Sequence, residues 1–147
     1  MAAARRADVT WEGDLLTGGG VVTAGTSRAF NALPVTWASR TESPQGKTSP
    51  EELIAAAHAG CFTMALSAQL GTLNFTPQSL RTTATLSLEK LDAGWTISKI
   101  HLDLAARIPG ISKEAFDSAA ASAKSNCPVS RLLKAEITLT ASLEQAA

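Results

Sequence analysis

The feature that most constrains the fold is one long, almost wholly apolar segment that begins with a strong helix signal. Ser49 is the predicted N-cap, Pro50 suits the first helical position, and Glu52 completes a Ser-x-x-Glu capping box. The pattern predicts a helix that runs to Leu70, with Gly71 as its stop, over roughly 31 Å. Because nearly every face is small or apolar, this helix should be buried on most sides. A chain of 147 residues offers little room for that, so we expect a partner subunit to cover it.

The patterns of apolar and polar residues in the rest of the chain predict an α+β protein, with one β-region before the long helix and another after it. We expect a single domain over residues 1–147, in which residues 1–6 form a flexible tail. The remaining predicted elements are strands within residues 7–46 with Gly18–Gly20 as a turn, strands at 80–88 and 95–105 joined by Asp92–Gly94, a helix at 113–125 capped by Ser112, a turn at 128–133, and a strand at 135–143.

Composition excludes several classes of protein. Apolar residues make up 45% and charged residues 18%, which is unlike a disordered chain. The 13 basic residues are balanced by 13 acidic ones, so no nucleic-acid partner is expected. The longest apolar stretch, residues 53–66, is shorter than the roughly 20 residues that cross a membrane, and no secretory signal is evident. We therefore expect a cytoplasmic location and no membrane partner.

The chemistry should centre on the only two cysteines, Cys61 and Cys127. In a reducing compartment such a pair is more often reactive than structural. Cys127 precedes Pro128, a residue suited to open a helical turn, so nearby helix N–H groups can favour its thiolate. Cys61 lies well inside the long helix and needs a cationic side chain instead. Arg40, just before the loop that leads to this helix, is a reasonable source of that charge.

Each of these residues also has a plainer interpretation. A lone buried cysteine is commonly a core residue, and a structural disulfide can stabilise a loop of this size by roughly 4 kcal/mol. His58 is more simply a packed or hydrogen-bonded core histidine than a catalytic group. Metal binding by the two cysteines, His58 and His101 lacks ligand-like spacing, so no metal is expected.

The spacing of Glu51 and Cys61 bears on assembly. The two residues are ten positions apart, which is about 15 Å along a helix, so they cannot share a small site within one helix. If two such helices pack antiparallel across a two-fold axis, Glu51 of one chain can approach Cys61 of the other. An Arg40–Glu51 ion pair would then be delivered in trans.

Two long motifs, Ser49–Leu66 and Cys127–Ile137, resemble the first-cysteine and second-cysteine motifs of the OsmC/Ohr family of organic hydroperoxide reductases. Trp11–Asp14, Leu91–Gly94 and Ile108–Gly110 extend the resemblance over nearly the whole chain. The histidine before the first cysteine and the Pro-Val-Ser after the second are more similar to the OsmC branch.

The resemblance implies a fold, a set of roles and a set of partners. The fold would be an intertwined homodimer with antiparallel sheets wrapped around two long buried central helices. Cys61 would be the peroxidatic thiolate and Cys127 the resolving thiol, with Arg40 stabilising the thiolate and Glu51 orienting Arg40. Arg28 is the nearest alternative to Arg40. The implied partners are an organic hydroperoxide and a dithiol reductant of the lipoyl type, with no cofactor.

The implied reaction is a peroxiredoxin-type cysteine peroxidase cycle that would serve as an antioxidant in oxidative stress. Cys61 attacks the peroxide and becomes a sulfenic acid, which condenses with Cys127 to a disulfide that a dithiol reopens. Apolar groups such as Phe62 are expected to line the site and favour alkyl or lipid hydroperoxides. The alternative is a non-enzymatic redox-sensing or small-ligand-binding module on the same fold, which catalytic consumption of peroxide would exclude.

Overall fold

The computed structural model describes residues 1–144. The chain divides into two compact units, the first Met1–Leu53 and the second beginning at Ile54. Each unit carries one three-stranded sheet, and the prediction of one domain over the whole chain stays a prediction. The elements in chain order are β1 (Asp8–Glu12), β2 (Gly19–Thr23), β3 (Leu33–Val35), α1 (Trp37–Thr41), α2 (Pro50–Thr72), β4 (Ser79–Leu91), β5 (Gly94–Arg107), α3 (Lys113–Asn126), α4 (Pro128–Leu132) and β6 (Glu136–Glu144).

The sheet of the first unit is an antiparallel meander in the order β1-β2-β3. The prediction that Gly18–Gly20 form its first turn is wrong for two of the three glycines. Asp14 closes the turn by accepting a hydrogen bond from the N–H of Gly18 at 2.9 Å. Gly19 and Gly20 lie within β2, where a Cβ on Gly20 would come 2.7 Å from the carbonyl oxygen of Thr10. Gly20 thus allows close strand packing, and neither glycine forms the turn.

The short helix α1 was not predicted from the sequence. Thr36 caps it, and the Thr36 and Ser39 side chains each accept from the other's backbone N–H at 3.0 Å, which completes a capping box. The Ser39 hydroxyl also donates to the carbonyl oxygen of Thr48 at 2.9 Å and so ties α1 to the segment before α2. Arg40 therefore lies in the last turn of a capped helix, before the loop that leads to α2.

Helix α2 begins where the sequence predicts, but the predicted capping box between Ser49 and Glu52 does not form. Ser49 Oγ accepts from the N–H of Glu52 at 3.1 Å, as an N-cap does. The carboxylate of Glu52 does not return to Ser49, because it accepts from the hydroxyl of Thr48 at 2.8 Å. The end is also later than predicted: the helix passes through Gly71, and its last carbonyls are bonded by the turn at Asn74, which has a φ of 61°.

One face of α2 is buried within the chain and another is not. His58, Phe62, Leu66 and Leu70 are wholly buried, whereas Met64 is 70% exposed. The helix has the length and mean hydropathy of a membrane span, 1.4 over its most apolar window. The expectation that no segment is long and apolar enough to cross a membrane is therefore wrong. A core helix can pass the same test. Only 22% of that window is buried within the described residues, and the buried face packs into an apolar core.

The second unit holds a mixed sheet in the order β4-β5-β6. Strands β4 and β5 form the predicted hairpin, with the turn at Asp92 and Ala93. Strand β6 pairs parallel with β5 from Lys99↔Glu136 to Arg107↔Glu144, which departs from the expectation of purely antiparallel sheets. A parallel pair needs a long crossover, and α3 with α4 supplies it. This crossover is what carries Cys127 into the core of the unit.

Candidate active site

The two cysteines meet inside the second unit. Cys61 lies on α2, and Cys127 stands between two helices as the C-cap of α3 and the N-cap of α4. Both thiols are free, Cys61 packs against the core cluster that contains Cys127, and each thiol shifts the pKa of the other. Cys61 is partly exposed, whereas Cys127 has no exposed surface. The structure thus brings together two residues that are distant in sequence and gives only one of them access to solvent.

The surroundings of the pair shift the pKa values of the two thiols in opposite directions. Burial raises the pKa of Cys61, and the interaction with Cys127 raises it further. Burial also acts to raise the pKa of Cys127, but the neighbouring Cys61 thiol and the polar groups of Ser130 and Val129 at the start of α4 outweigh it and lower that pKa. Within Ile54–Glu144 no cationic side chain acts on Cys61. Activation of Cys61 therefore requires a positive charge from elsewhere.

This arrangement predicts how the reduced protein titrates. Because the pKa of Cys127 is lowered, the first proton should leave the pair below pH 9.0, and the second should leave above it, since the pKa of Cys61 is raised. Thiolate absorbance at 240 nm, followed against pH, should rise in two separate steps. A single step at the pH of an ordinary thiol would contradict the close pairing of the sulfurs, and a variant with both cysteines replaced supplies the baseline.

Arg40 and Glu51 form an ion pair in the first unit. Arg40 Nε donates to Glu51 Oε1 at 2.8 Å, Nη2 lies 2.8 Å from the same oxygen in the ion pair, and the guanidinium lies 5.7 Å from the centroid of the Trp37 ring. The Glu51 side chain is 10% exposed, and its Oε2 has no hydrogen-bond partner among residues 1–144. Both residues were predicted, and the structure places them together. Their roles toward Cys61 stay predictions.

An apolar pocket of about 310 Å³ opens beside Arg40 in the same unit. Its other lining residues are Val9, Trp11, Leu15, Val22, Val35, Thr36, Trp37, Pro50 and Leu53. Phe62, which was expected to line a substrate site, has no exposed surface and belongs to the core. The reason is its position on the buried face of α2. The first unit thus offers a concave apolar surface with one guanidinium, a combination suited to a molecule with an alkyl part and a polar head.

His58 has a specific buried partner. Its Nε2 lies 2.7 Å from the hydroxyl oxygen of Ser130 on α4, and burial lowers the pKa of the ring. Its Nδ1 has no hydrogen-bond partner in the described part of the chain. The sequence led us to expect a packed or hydrogen-bonded core histidine, but Ser130 was noticed only as part of a motif. The sequence signal that could have pointed to Ser130 is its position three residues after Cys127, in the turn that Pro128 begins.

Residues 1–144 contain no cluster of three or more side chains that could hold a metal ion. The second histidine, His101, instead pairs on the sheet with Thr138 at 2.7 Å and with Thr140 at 3.2 Å.

An α+β chain in which a partly exposed thiol contacts a buried thiol at a helix start has the features of a thiol-dependent redox protein. Comparison with known proteins agrees: the family described as OsmC-like protein matches residues 43–142. Peroxiredoxin OsmC of Escherichia coli is 48% identical over 139 residues, which is 95% of this chain and 96% of the relative. The chain belongs to the OsmC-like family.

Solved structures agree with the fold. An OsmC-like protein of unknown function from Vibrio cholerae matches with a TM-score of 0.77 at 16% identity, over 96% of this chain and 100% of the other. The organic hydroperoxide resistance protein OhrB of Bacillus subtilis matches with a TM-score of 0.67 at 22% identity, over 95% and 98%. The predicted family and the predicted α+β, OsmC-like fold are confirmed. These comparisons do not test the predicted homodimer, which stays a prediction.

Proposed function

We propose that this protein is a thiol-dependent peroxidase that reduces organic hydroperoxides to alcohols. The observation that carries the proposal is that Cys61 packs against the core cluster that contains Cys127 and that the two thiols are close enough for each to shift the pKa of the other. The names of the relatives support it, since one is a peroxiredoxin and another an organic hydroperoxide resistance protein.

Exposure assigns the two roles. A peroxide must reach the attacking sulfur, and Cys61 is the thiol with solvent access. The Cys61 thiolate attacks the terminal oxygen, the O–O bond breaks, and the alkoxide takes a proton to leave as an alcohol. Cys127 then attacks the sulfenic sulfur, an S–S bond forms, and the oxygen leaves as water. A dithiol, which we propose to be of the lipoyl type, restores both thiols by exchange.

We further propose that the Arg40 guanidinium stabilises the Cys61 thiolate and that Glu51 orients Arg40. Burial raises the pKa of Cys61, and its own unit supplies no cation to offset that. A guanidinium keeps its charge at any working pH, and the hydrogen bond from Nε together with the ion-pair contact of Nη2 to Glu51 Oε1 fixes its direction. Arg28 stays the alternative source of charge.

The substrate should be apolar, because the pocket beside Arg40 is lined mostly by apolar side chains. We expect kcat/KM for a bulky hydroperoxide such as cumene hydroperoxide to exceed that for hydrogen peroxide by about tenfold or more, as apolar contacts of this size allow. Initial rates with a dithiol present measure both values. Equal efficiency with the two peroxides would contradict an apolar substrate, and absence of turnover with either would leave the redox-sensing alternative.

The exposed face of α2 supports a homodimer built around this helix. Met64 is 70% exposed in the single chain, beside small residues at Ala56, Gly60 and Ala68 that let a second helix approach. We expect light scattering to give a dimer for the native protein. Met64→Glu should shift it toward monomer, whereas Leu91→Glu, at a residue that is 48% exposed on the hairpin, should not. A monomeric native protein would contradict the proposal. We also propose that the protein is cytoplasmic.

A further inference from the structure

The reductive half of the proposed cycle has two possible entry points, because an incoming thiolate can attack either sulfur of a Cys61–Cys127 disulfide. The two attacks give different products. Attack at one sulfur leaves a mixed disulfide there and expels the other sulfur as a thiolate. The two cysteines lie in the unit that begins at Ile54, and their surroundings in that unit decide between the two attacks.

The approach to Cys61 is open. Cys61 is partly exposed on α2. A long side chain on a helix leans toward the helix N-terminus, so it lies over the turn that precedes it. The residue one turn before Cys61 on the same side is Ala57, which is exposed and has a side chain of a single carbon. This small side chain leaves room beside the Cys61 sulfur for an incoming thiol.

Cys127 is closed to the same attack. It has no exposed surface and belongs to the apolar core cluster, together with Phe116, Ala120 and Ala123. Its backbone is also held on both sides. Its N–H donates to the carbonyl oxygen of Ala123 in α3 at 2.9 Å, and its carbonyl oxygen accepts from the N–H of Arg131 in α4 at 3.0 Å. Cys127 therefore cannot turn outward without the loss of hydrogen bonds in two helices.

A buried side-chain bond holds α4 in place as well. His58 Nε2 on α2 lies 2.7 Å from the hydroxyl oxygen of Ser130 on α4. His58 has no exposed surface and Ser130 is 8% exposed, so breaking this bond would leave two polar groups buried without it, which is costly. Helix α4 is thus fixed to the helix that carries Cys61, and Cys127 at the start of α4 stays buried.

We propose that the reducing dithiol attacks Cys61 and that Cys127 is the leaving group of the reductive step. The inference rests on the proposed function and names the sulfur through which the enzyme is reduced. A thiolate of the dithiol bonds to Cys61 Sγ, the Cys61–Cys127 bond breaks, and Cys127 keeps the electron pair as a thiolate. The second thiol of the dithiol loses its proton to solvent and attacks the dithiol sulfur of the mixed disulfide. Cys61 leaves as a thiolate, the dithiol closes into a cyclic disulfide, and the protein has gained two electrons.

The pKa values of the two thiols favour the same direction. The surroundings lower the pKa of Cys127 and raise that of Cys61. Thiol–disulfide exchange is faster when the leaving thiol has the lower pKa. Cys127 is thus the better leaving group, whereas an attack at Cys127 would have to expel Cys61.

The test is the position of the mixed disulfide that a monothiol forms with the oxidised full-length protein. The native disulfide form is mixed with excess cysteamine, and samples are quenched in acid, which protonates thiolates and stops exchange. Peptide mapping by mass then locates the cysteamine adduct. Extrapolated to zero time, the adduct on Cys61 should exceed that on Cys127 by about tenfold or more, because access and leaving group both favour Cys61.

The unfolded chain is the matched control. In guanidinium chloride both sulfurs are exposed and have lost their surroundings, so the two adducts should form in similar amounts. An even split in the folded protein, or an excess on Cys127, would overturn the proposal. An equally strong preference for Cys61 in guanidinium chloride would also overturn it, because the preference would then not come from the fold.

A failure of the proposed function is visible at an earlier stage. A native protein that consumes no hydroperoxide, or that forms no Cys61–Cys127 disulfide with it, refutes that function before any cysteamine is added. A disulfide that forms in the cycle but is attacked at Cys127 refutes only the assignment of the attacked sulfur.

Discussion

Replacing Cys61 with serine should abolish hydroperoxide turnover, with a loss of about a thousandfold or more, as removal of a catalytic nucleophile generally gives. The physical reason is that an alcohol does not ionise near neutral pH, and that Cys61 is the thiol that a peroxide can reach. The measurement is steady-state consumption of cumene hydroperoxide with a dithiol in excess. Retained multiple turnover in Cys61→Ser would show that the roles have been assigned to the wrong sulfur.

Cys127→Ser is the matched control, since it removes one sulfur from the same pair. This variant should consume one equivalent of hydroperoxide and then stall as a sulfenic acid, because no second thiol is present to resolve it. The contrast between no turnover and one turnover tests the assignment more sharply than either variant alone. The contrast is informative here because the surroundings in the reduced chain lower the pKa of Cys127 and raise that of Cys61.

The second large effect is expected at Arg40. Arg40→Ala should lower the rate of the first step by about a hundredfold to a thousandfold, the usual cost of removing a preorganised group that stabilises negative charge. Arg40→Lys keeps the charge but loses the planar guanidinium, whose Nε donates to Glu51 Oε1 and whose Nη2 lies 2.8 Å from the same oxygen. Its rate should fall between those of the native protein and Arg40→Ala. Single-turnover rates against pH should show the Cys61 midpoint moving upward in Arg40→Ala.

Arg28 supplies the control for that experiment. It is an exposed arginine in the same unit and was the alternative source of charge from sequence, so Arg28→Gln should leave the first-step rate near that of the native protein. A large loss in Arg28→Gln together with a small one in Arg40→Ala would exchange the two roles. Glu51→Gln should have a smaller effect than Arg40→Ala, because it loosens the guanidinium without removing it.

The sequence predicted those helices and turns whose ends are set by residues close together in the chain. The start of α2 followed from the order Ser49-Pro50, and the hairpin at Asp92 and Ala93 followed from alternating strands around a turn. The helix that Ser112 caps was likewise found, because the Ser112 hydroxyl accepts from the N–H of Ala115 at 3.2 Å. Each of these features depends on residues close together in the chain, so the sequence could reveal it.

Features that depend on distant partners were missed. Helix α1 is only five residues long and is tied down by the bond from Ser39 to Thr48. Gly71 did not stop α2, because the left-handed turn that ends the helix is at Asn74. The direction of β6 depends on where its crossover returns, which alternation cannot encode.

The candidate site shows the same division. A reactive pair at Cys61 and Cys127 was predicted from residue type and family resemblance, but their contact arises from the packing of α2 against the α3–α4 junction. The bond from His58 to Ser130 spans 72 positions, and no spacing rule would have found it.

The most direct test of the central claim, that the two sulfurs react with each other, is the intact mass of the reduced protein after one equivalent of cumene hydroperoxide. We predict a product lighter by two hydrogen atoms, with a single disulfide that peptide mapping assigns to Cys61 and Cys127 of one chain. Consumption of the hydroperoxide with a gain of oxygen atoms on the native protein, and with both cysteines left unlinked, would contradict the account.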